Sequence, residues 1–292
     1  MKEQKKHSQK HHDIRFDLKK TRRDKRDYSY RRTFGAVSVS ELPEEYIIKP
    51  FRIKDQGSTD FCTAFASTEV AEDQDNIEFD PGYHFQKSKL LEGGWREWGV
   101  NIRTACQVAV DYGFLPKNYS PFIIGQTDRD IIANPENWKP ELDTLAAQYK
   151  KQRYFSADGF NDLFDNIRMA MWMNKDDNAS VITGSLWRTD WIYAPVIPKL
   201  YSSSMQGGHA FKIIGWKKID NEIYLVIQNS WGDDMGDEGL YYFPRSVVNK
   251  EFSYGGAFLF SSKEGTIKKM SLMITLLSKL VGLLNQLIAK TK

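Results

Sequence analysis

Gln56, Cys62, His209 and Asn229 are the residues of this chain whose types suit nucleophilic chemistry. In "IKDQGSTDFCTAFAS" (53–67), Gln56 stands six positions ahead of Cys62, in a run that passes from turn-like to helical. A thiol at a helix N-terminus faces unpaired amides and the positive end of the helix dipole, so its thiolate is favoured. Ser58, Thr59 and Asp60 are candidate caps for that helix. The Cys62 amide and the Gln56 carboxamide could together hold a developing oxyanion, at about 3 kcal/mol per donor. Against this stands the plain alternative for a lone cysteine, a small buried side chain.

The partners of such a thiol would come from two strands. "HAFKIIGW" (209–216) and "EIYLVIQNS" (222–230) are rich in β-branched and aromatic residues and are joined by "KKIDN". A hairpin without a bulge, centred near residue 219, sets His209 opposite Asn229 with Cβ atoms about 4.5 to 5.5 Å apart. An imidazole oriented by a carboxamide is what a nucleophilic cysteine needs, because the ring takes the thiol proton and the amide oxygen fixes its tautomer.

The elements that must carry these residues are legible in outline. "CTAFASTEVAEDQDN", "NIRTACQVAVDYGF" and "LFDNIRMAMWMN" predict helices. They are followed by "ASVITGSLW", the two strands above and "GLYYFP", all strand-like. Helices first and antiparallel strands later predict an α+β protein of two subdomains with a cleft between them. His84, beside Tyr83 and Phe85 in a helical stretch, is expected to pack rather than react.

The 292 residues, 41% hydrophobic and 13% aromatic, can bury one large core or two modest ones. Two cysteines, Cys62 and Cys106, allow at most one bridge, which points to a reducing compartment. With no secretory signal readable, the cytoplasm is the expected location. Residues 1–32 carry 13 Lys+Arg against 5 Asp+Glu, a balance of +8, and the remainder carries 28 against 33. So polar a segment is expected to be disordered alone, serving as a pro-segment, an arm for polyanions such as nucleic acid, or a solubilising tail. The expected organisation is a basic arm over 1–41, a packed domain over 42–262, and an amphipathic helix over 263–292. In that last segment Met273, Leu276, Leu280, Leu283 and Leu287 follow alternating three- and four-residue spacing. Self-association, contact with a membrane surface and packing on the chain's own domain are all compatible with residues 266–292.

Taken together, "KDQGSTDFCTAFA", "GGHAFKIIGW" and "QNSWGDDMGDEGLYYFP" resemble the papain-like cysteine peptidases, in the order Cys, His, Asn. "FDPGYHFQKSKLLEG" and "WGVNIRTACQVAVDYGFLPKNYSPF" are similar to the stretch after the nucleophile helix in prokaryotic members, so the likeness covers 42–262. The resemblance implies Cys62 as nucleophile, His209 as general base and acid, Asn229 as orienter and Gln56 in the oxyanion hole. It further implies Trp231 as a shield over the His–Asn bond, Gly99 as a substrate-binding glycine with Gly93 and Gly94 as competitors, and Asp60 beside the substrate. A polypeptide substrate, a thioester acyl-enzyme, no cofactor and no metal are expected. Thr59 replaces a disulfide cysteine of many members, Thr63 replaces a tryptophan, and Asp60-Phe61 replaces a small pair. Asp60 would oppose a thiolate unless it caps the helix. Cys106 is expected in the core. A catalytically dead binding or scaffolding module, and a thiol amidase or acyltransferase on a non-protein substrate, are the competing functions.

Overall fold

The computed structural model describes residues 14–22, 24–25, 27–30, 38–95, 99–123, 128–158, 162–201 and 204–261. The C-terminal segment 266–292 lies outside them. The described helices are α1 (Cys62–Asp75), α2 (Pro81–Leu91), α3 (Ile102–Asp111), α4 (Asp128–Ala133), α5 (Pro140–Ala146), α6 (Leu163–Met173) and α7 (Arg245–Glu251). The strands are β1 (Tyr46–Ile47), β2 (Arg153–Ser156), β3 (Val181–Arg188), β4 (Met205–Ile219), β5 (Glu222–Gln228), β6 (Leu240–Pro244) and β7 (Ala257–Ser261). They form one antiparallel sheet in the order β2-β7-β3-β4-β5-β6, with β1 added beside β4. The architecture is the α+β one expected, with a helical first half packed on a strand-rich second half.

Local chemistry accounts for the helix starts. Asp80, Asn101 and Asp162 each accept a bond from an amide of the first turn of α2, α3 and α6, and Pro81 begins α2 where its missing N–H costs nothing. Helix α1 differs. Its N-cap is Phe61 and makes no side-chain cap bond, because Thr59 Oγ1 donates to the Gln56 carbonyl and Asp60 turns to the Gly99 amide. None of the three candidate caps therefore serves.

The β4–β5 hairpin departs from the expected register. Its turn is the two residues Asp220 and Asn221, both at positive φ, so Ile219 faces Glu222, and a bulge between Ile213 and Gly215 then shifts the pairing. Asn229 lies just past the end of β5 and is not the ladder partner of His209.

Helix α1 is buried from Cys62 to Asp73 between the sheet and the other helices, although it carries Glu69, Glu72 and Asp73. Lys54 pairs with Glu72, and Lys212 of β4 pairs with Asp73 at 2.7 Å. Both oxygens of Glu69 lack a hydrogen-bond partner, and burial pushes its carboxyl up to about 8 despite nearby Lys212 and Lys54. The folded state thus holds this proton more tightly than the unfolded chain does. Its contribution to stability is complete below the ordinary carboxyl range, about 4.5, and is lost as pH rises towards about 8. We expect Glu69→Gln to flatten that decline and to raise stability at pH 8 by on the order of 3 kcal/mol. Thermal unfolding at pH 5 and pH 8 measures this, and an unchanged difference between the two would refute it.

Part of the basic arm lies on the domain. Leu18 and Tyr30 are buried, and Ile14 and Phe16 are partly buried against the core. Average polarity concealed these few apolar anchors among the charges.

Candidate active site

Cys62 is the first residue of α1, and it shares a buried cluster with Ala210 of β4, the residue following His209. His209 Nε2 and Asn229 Oδ1 are 2.7 Å apart. The carboxamide oxygen also accepts the Ser230 amide at 2.8 Å, which fixes it as the acceptor and assigns the imidazole proton to Nε2. Nδ1, which has no hydrogen-bond partner, is then the ring nitrogen able to take a proton. Trp231 stacks on the imidazole at 4.5 Å, and Trp187 and Phe16 meet it edge-on at 5.4 and 6.0 Å.

Gln56 is fixed by the Asn229 loop. Its amide donates to the Ser230 carbonyl at 2.8 Å, its Oε1 accepts from Ser230 Oγ at 2.8 Å, and its Nε2 donates to the Thr59 carbonyl at 2.9 Å. The bridge between Asp55 and Trp231, with the Gly232 amide donating to the Lys54 carbonyl, completes this clasp. The loop before α1 and the loop after Asn229 are thus one unit. Ser230 was not singled out from the sequence. Its place beside Asn229 was visible, but its hydroxyl bond across 174 positions was not.

Asp60 Oδ2 accepts from the Gly99 amide at 3.3 Å, and Lys89 Nζ donates to the Gly99 carbonyl at 3.2 Å. Gly99 has φ +64°, and a Cβ there would come within 1.5 Å of the Asp17 carbonyl oxygen, so only glycine fits while the arm is present. Nothing approaches Gly93 or Gly94 in this way. Thr63 donates to the Val100 carbonyl at 3.0 Å, binding α1 to the loop that carries Gly99. Cys106 is a free thiol in the core of α3, and His84 is buried, stacked on Phe114 at 4.7 Å.

The groove beside Cys62 is filled by the chain's own arm. Asp17 forms a parallel bridge with Gly208, and the Leu18 amide donates to the Gly208 carbonyl at 2.8 Å. Phe16 lies edge-on to His209 and to Trp231. Leu18 joins the buried cluster containing Cys62 and packs at Gly184, Gly208 and Ala210. This occupancy sets the electrostatics. Burial pushes the Cys62 thiol up to about 11, with Asp17 and Asp60 adding to the rise and the Ala210 amide and Thr63 opposing it. Burial likewise draws His209 down to about 4, with the Asn229 bond opposing. With the arm in place the thiol is thus raised rather than depressed, and burial is the largest of these influences.

A thiol at a helix start and an imidazole bonded to a carboxamide thus lie on α1 and on the β4–β5 side of the sheet. The model of the papain family cysteine proteases matches residues 44–254, and the chain belongs to that family. It is 35% identical over 102 residues to cathepsin B-like cysteine proteinase 3 of Ostertagia ostertagi, a match covering 35% of this chain and 58% of that protein. It is also 36% identical over 58 residues to cathepsin B-like CP2 of Giardia intestinalis, covering 18% of this chain and 19% of that one. The chain thus spans little more than half the length of the first of these curated relatives and far less of the second. Among solved structures, xylellain, a cysteine protease from Xylella fastidiosa, superposes with TM-score 0.69 at 20% identity, covering 85% of this chain and 96% of that one. Procathepsin B S9 from Trypanosoma congolense gives 0.62 at 17% identity over 85% and 87%.

Proposed function

We propose that the chain is a cysteine peptidase that hydrolyses polypeptides through a thioester at Cys62. The observation that carries this reading is the 2.7 Å bond from His209 to Asn229, with the ring nitrogen opposite that bond left for the thiol proton. With the cleft hydrated, Nδ1 takes the Cys62 proton and Sγ attacks the substrate carbonyl. The Cys62 amide and the remaining N–H of Gln56 hold the oxyanion. His209 then returns the proton to the leaving amine, and water, deprotonated by the same ring, releases the acid and regenerates the thiol. Trp231 and Trp187 keep water from the His–Asn bond, and the Gly99 backbone, with Asp60 beside it, lines the groove for an extended chain. The two free cysteines suit a reducing compartment, and the cytoplasm remains our proposed location. Polyanion contact through 1–32 and self-association or membrane-surface contact through 266–292 remain proposals for segments largely outside the described residues.

Labelling with a thiol-directed electrophile tests the site. Once the arm has been displaced, wild type and Cys106→Ala should be labelled at least about tenfold faster than Cys62→Ala at pH 6. Labelled protein that cleaves a non-protein amide but no peptide would favour the amidase or acyltransferase. Protein that is not labelled at all would favour the scaffolding module.

A further inference from the structure

A carboxylate stands two positions before Cys62, where its charge opposes a thiolate. Asp60 is buried, so water and salt screen it little. Its place is fixed from two sides. Oδ2 accepts the Gly99 amide, and Phe61, the next residue, stacks on Phe85 of α2 with ring centroids 4.0 Å apart. One turn further along α2 comes Lys89, a side chain wholly buried. Its ammonium lies 5.6 Å from the Phe85 ring centroid and donates to the Gly99 carbonyl at 3.2 Å. Asp60 and Lys89 therefore hold one glycine by its two polar groups, the anion at the N–H and the cation at the C=O. Both also act on a third group, because the Asp17 carboxyl, raised chiefly by burial, is raised further by Asp60 and lowered by Arg15 and Lys89. An ammonium out of water is unfavourable unless acceptors and an opposite charge stand close to it. No step of the acyl transfer described above uses this one.

We propose that Lys89 is a positioning residue for the thiolate: its ammonium, set across Gly99 from Asp60, offsets the field of that carboxylate at Cys62, so Asp60 can fix the glycine without holding the proton on sulfur. A neutral acceptor at position 60 would bond the Gly99 amide with no electrostatic cost to the thiol. The charged pair gives instead two charge-assisted bonds, stronger than neutral ones, and leaves no net charge beside Cys62. Two anionic groups act on the thiol, Asp60 from the loop before α1 and Asp17 from the arm, and both add to the rise that burial causes. Cys106 of α3 shares its cluster and Tyr254 borders it, and burial keeps both of these in their neutral forms. His209 of β4 joins them as the proton acceptor proposed above. When the arm leaves, Asp17 leaves with it, and Asp60 is the carboxylate that remains for Lys89 to offset. The inference rests on the peptidase reading only for the use made of the thiolate; these charges set the state of the sulfur whatever the substrate.

The pH profile of Cys62 alkylation by iodoacetamide tests this, in full-length chains that also carry Leu18→Asn to displace the arm from the groove and Cys106→Ala to leave a single thiol. Relative to that background, Asp60→Asn should lower the midpoint of the profile by at least about half a pH unit, and Lys89→Met should raise it by at least as much. Lys89→Met combined with Asp60→Asn should return it to within about 0.2 units of the background, because the two opposed charges are then both gone. If Lys89→Met alone does not fold, the double variant, in which no carboxylate is stranded, is compared with Asp60→Asn alone, and a midpoint higher by at least about half a unit is required. A midpoint that Asp60→Asn leaves unmoved, a Lys89→Met midpoint that does not rise, or a double variant that keeps the Asp60→Asn value would overturn the proposal. A lysine that only packs α2 would change stability and not the proton on sulfur. Peptide hydrolysis by the same chains separates the two readings. Midpoints that move as stated in a protein that cleaves no peptide would support Lys89 and defeat the peptidase reading, and unmoved midpoints in an active peptidase would defeat the role of Lys89 alone.

Discussion

Cys62→Ala, assayed once the arm has been displaced from the cleft, is expected to lower kcat/KM for peptide hydrolysis by at least about four orders of magnitude. Alanine keeps the helix and removes the only atom that can form the thioester. His209→Ala should match it, since a thiol without a proton acceptor is a poor nucleophile near neutral pH, and the double variant should be little worse than either single one. Asn229→Ala should fall less, on the order of 10²-fold, because Trp231 still stacks on the imidazole and only the second restraint on the ring is gone. Steady-state rates with a peptide substrate, alongside circular dichroism to verify folding, give the comparison. Full activity in His209→Ala would refute the assignment, and equal losses in Asn229→Ala and His209→Ala would show that ring orientation matters as much as possession of the ring.

The parts of the site that could be read from the sequence are those carried by local order. The helix beginning at Cys62, the strand beginning before His209 and the spacing from Gln56 to Cys62 are short-range patterns, and the helix and the strand do form. The hairpin argument brought His209 to Asn229 for the wrong reason. A two-residue turn at Asp220-Asn221 and a bulge near Ile213 displace the register, and Asn229 reaches the ring from beyond the strand instead. A bulge costs little in sequence signal, so it could not be foreseen from alternation alone. The docking of the arm was not legible in its charge, because Phe16, Leu18 and Tyr30 find apolar partners that exist only once the domain has formed. The same is true of the thiol's acidity. Helix position and dipole are local and legible, but the water that leaves when Leu18 enters the groove is not, and here the lost water decides the direction of the shift.

Lys212→Met is expected to cost about 3–5 kcal/mol of stability while leaving the catalytic residues chemically intact. Lys212 is wholly buried on β4, three residues after His209, and its ammonium bonds Asp73 at 2.7 Å and the Glu69 carbonyl of α1 at 3.3 Å. It is the tie through which the sheet answers the acidic residues of α1. Asp73 cannot turn elsewhere for a counter-charge. Its other bonds are to the neutral Phe51 amide at 2.9 Å and the Ser180 hydroxyl at 3.0 Å, and Lys54 is already committed to Glu72. Methionine fills most of the lysine's volume, so the cost would come from an uncompensated carboxylate beside Glu69 rather than from a cavity. For a domain of this size the loss should lower Tm by about 10 °C. Adding Asp73→Asn, which keeps the hydrogen-bonding shape and removes the stranded charge, should recover part of it. Thermal unfolding of the two variants at pH 7 decides the matter. A Tm for Lys212→Met within a degree or two of wild type would mean that the carboxylate is neutralised by other means, and the pairing would then have no special part in joining α1 to the sheet.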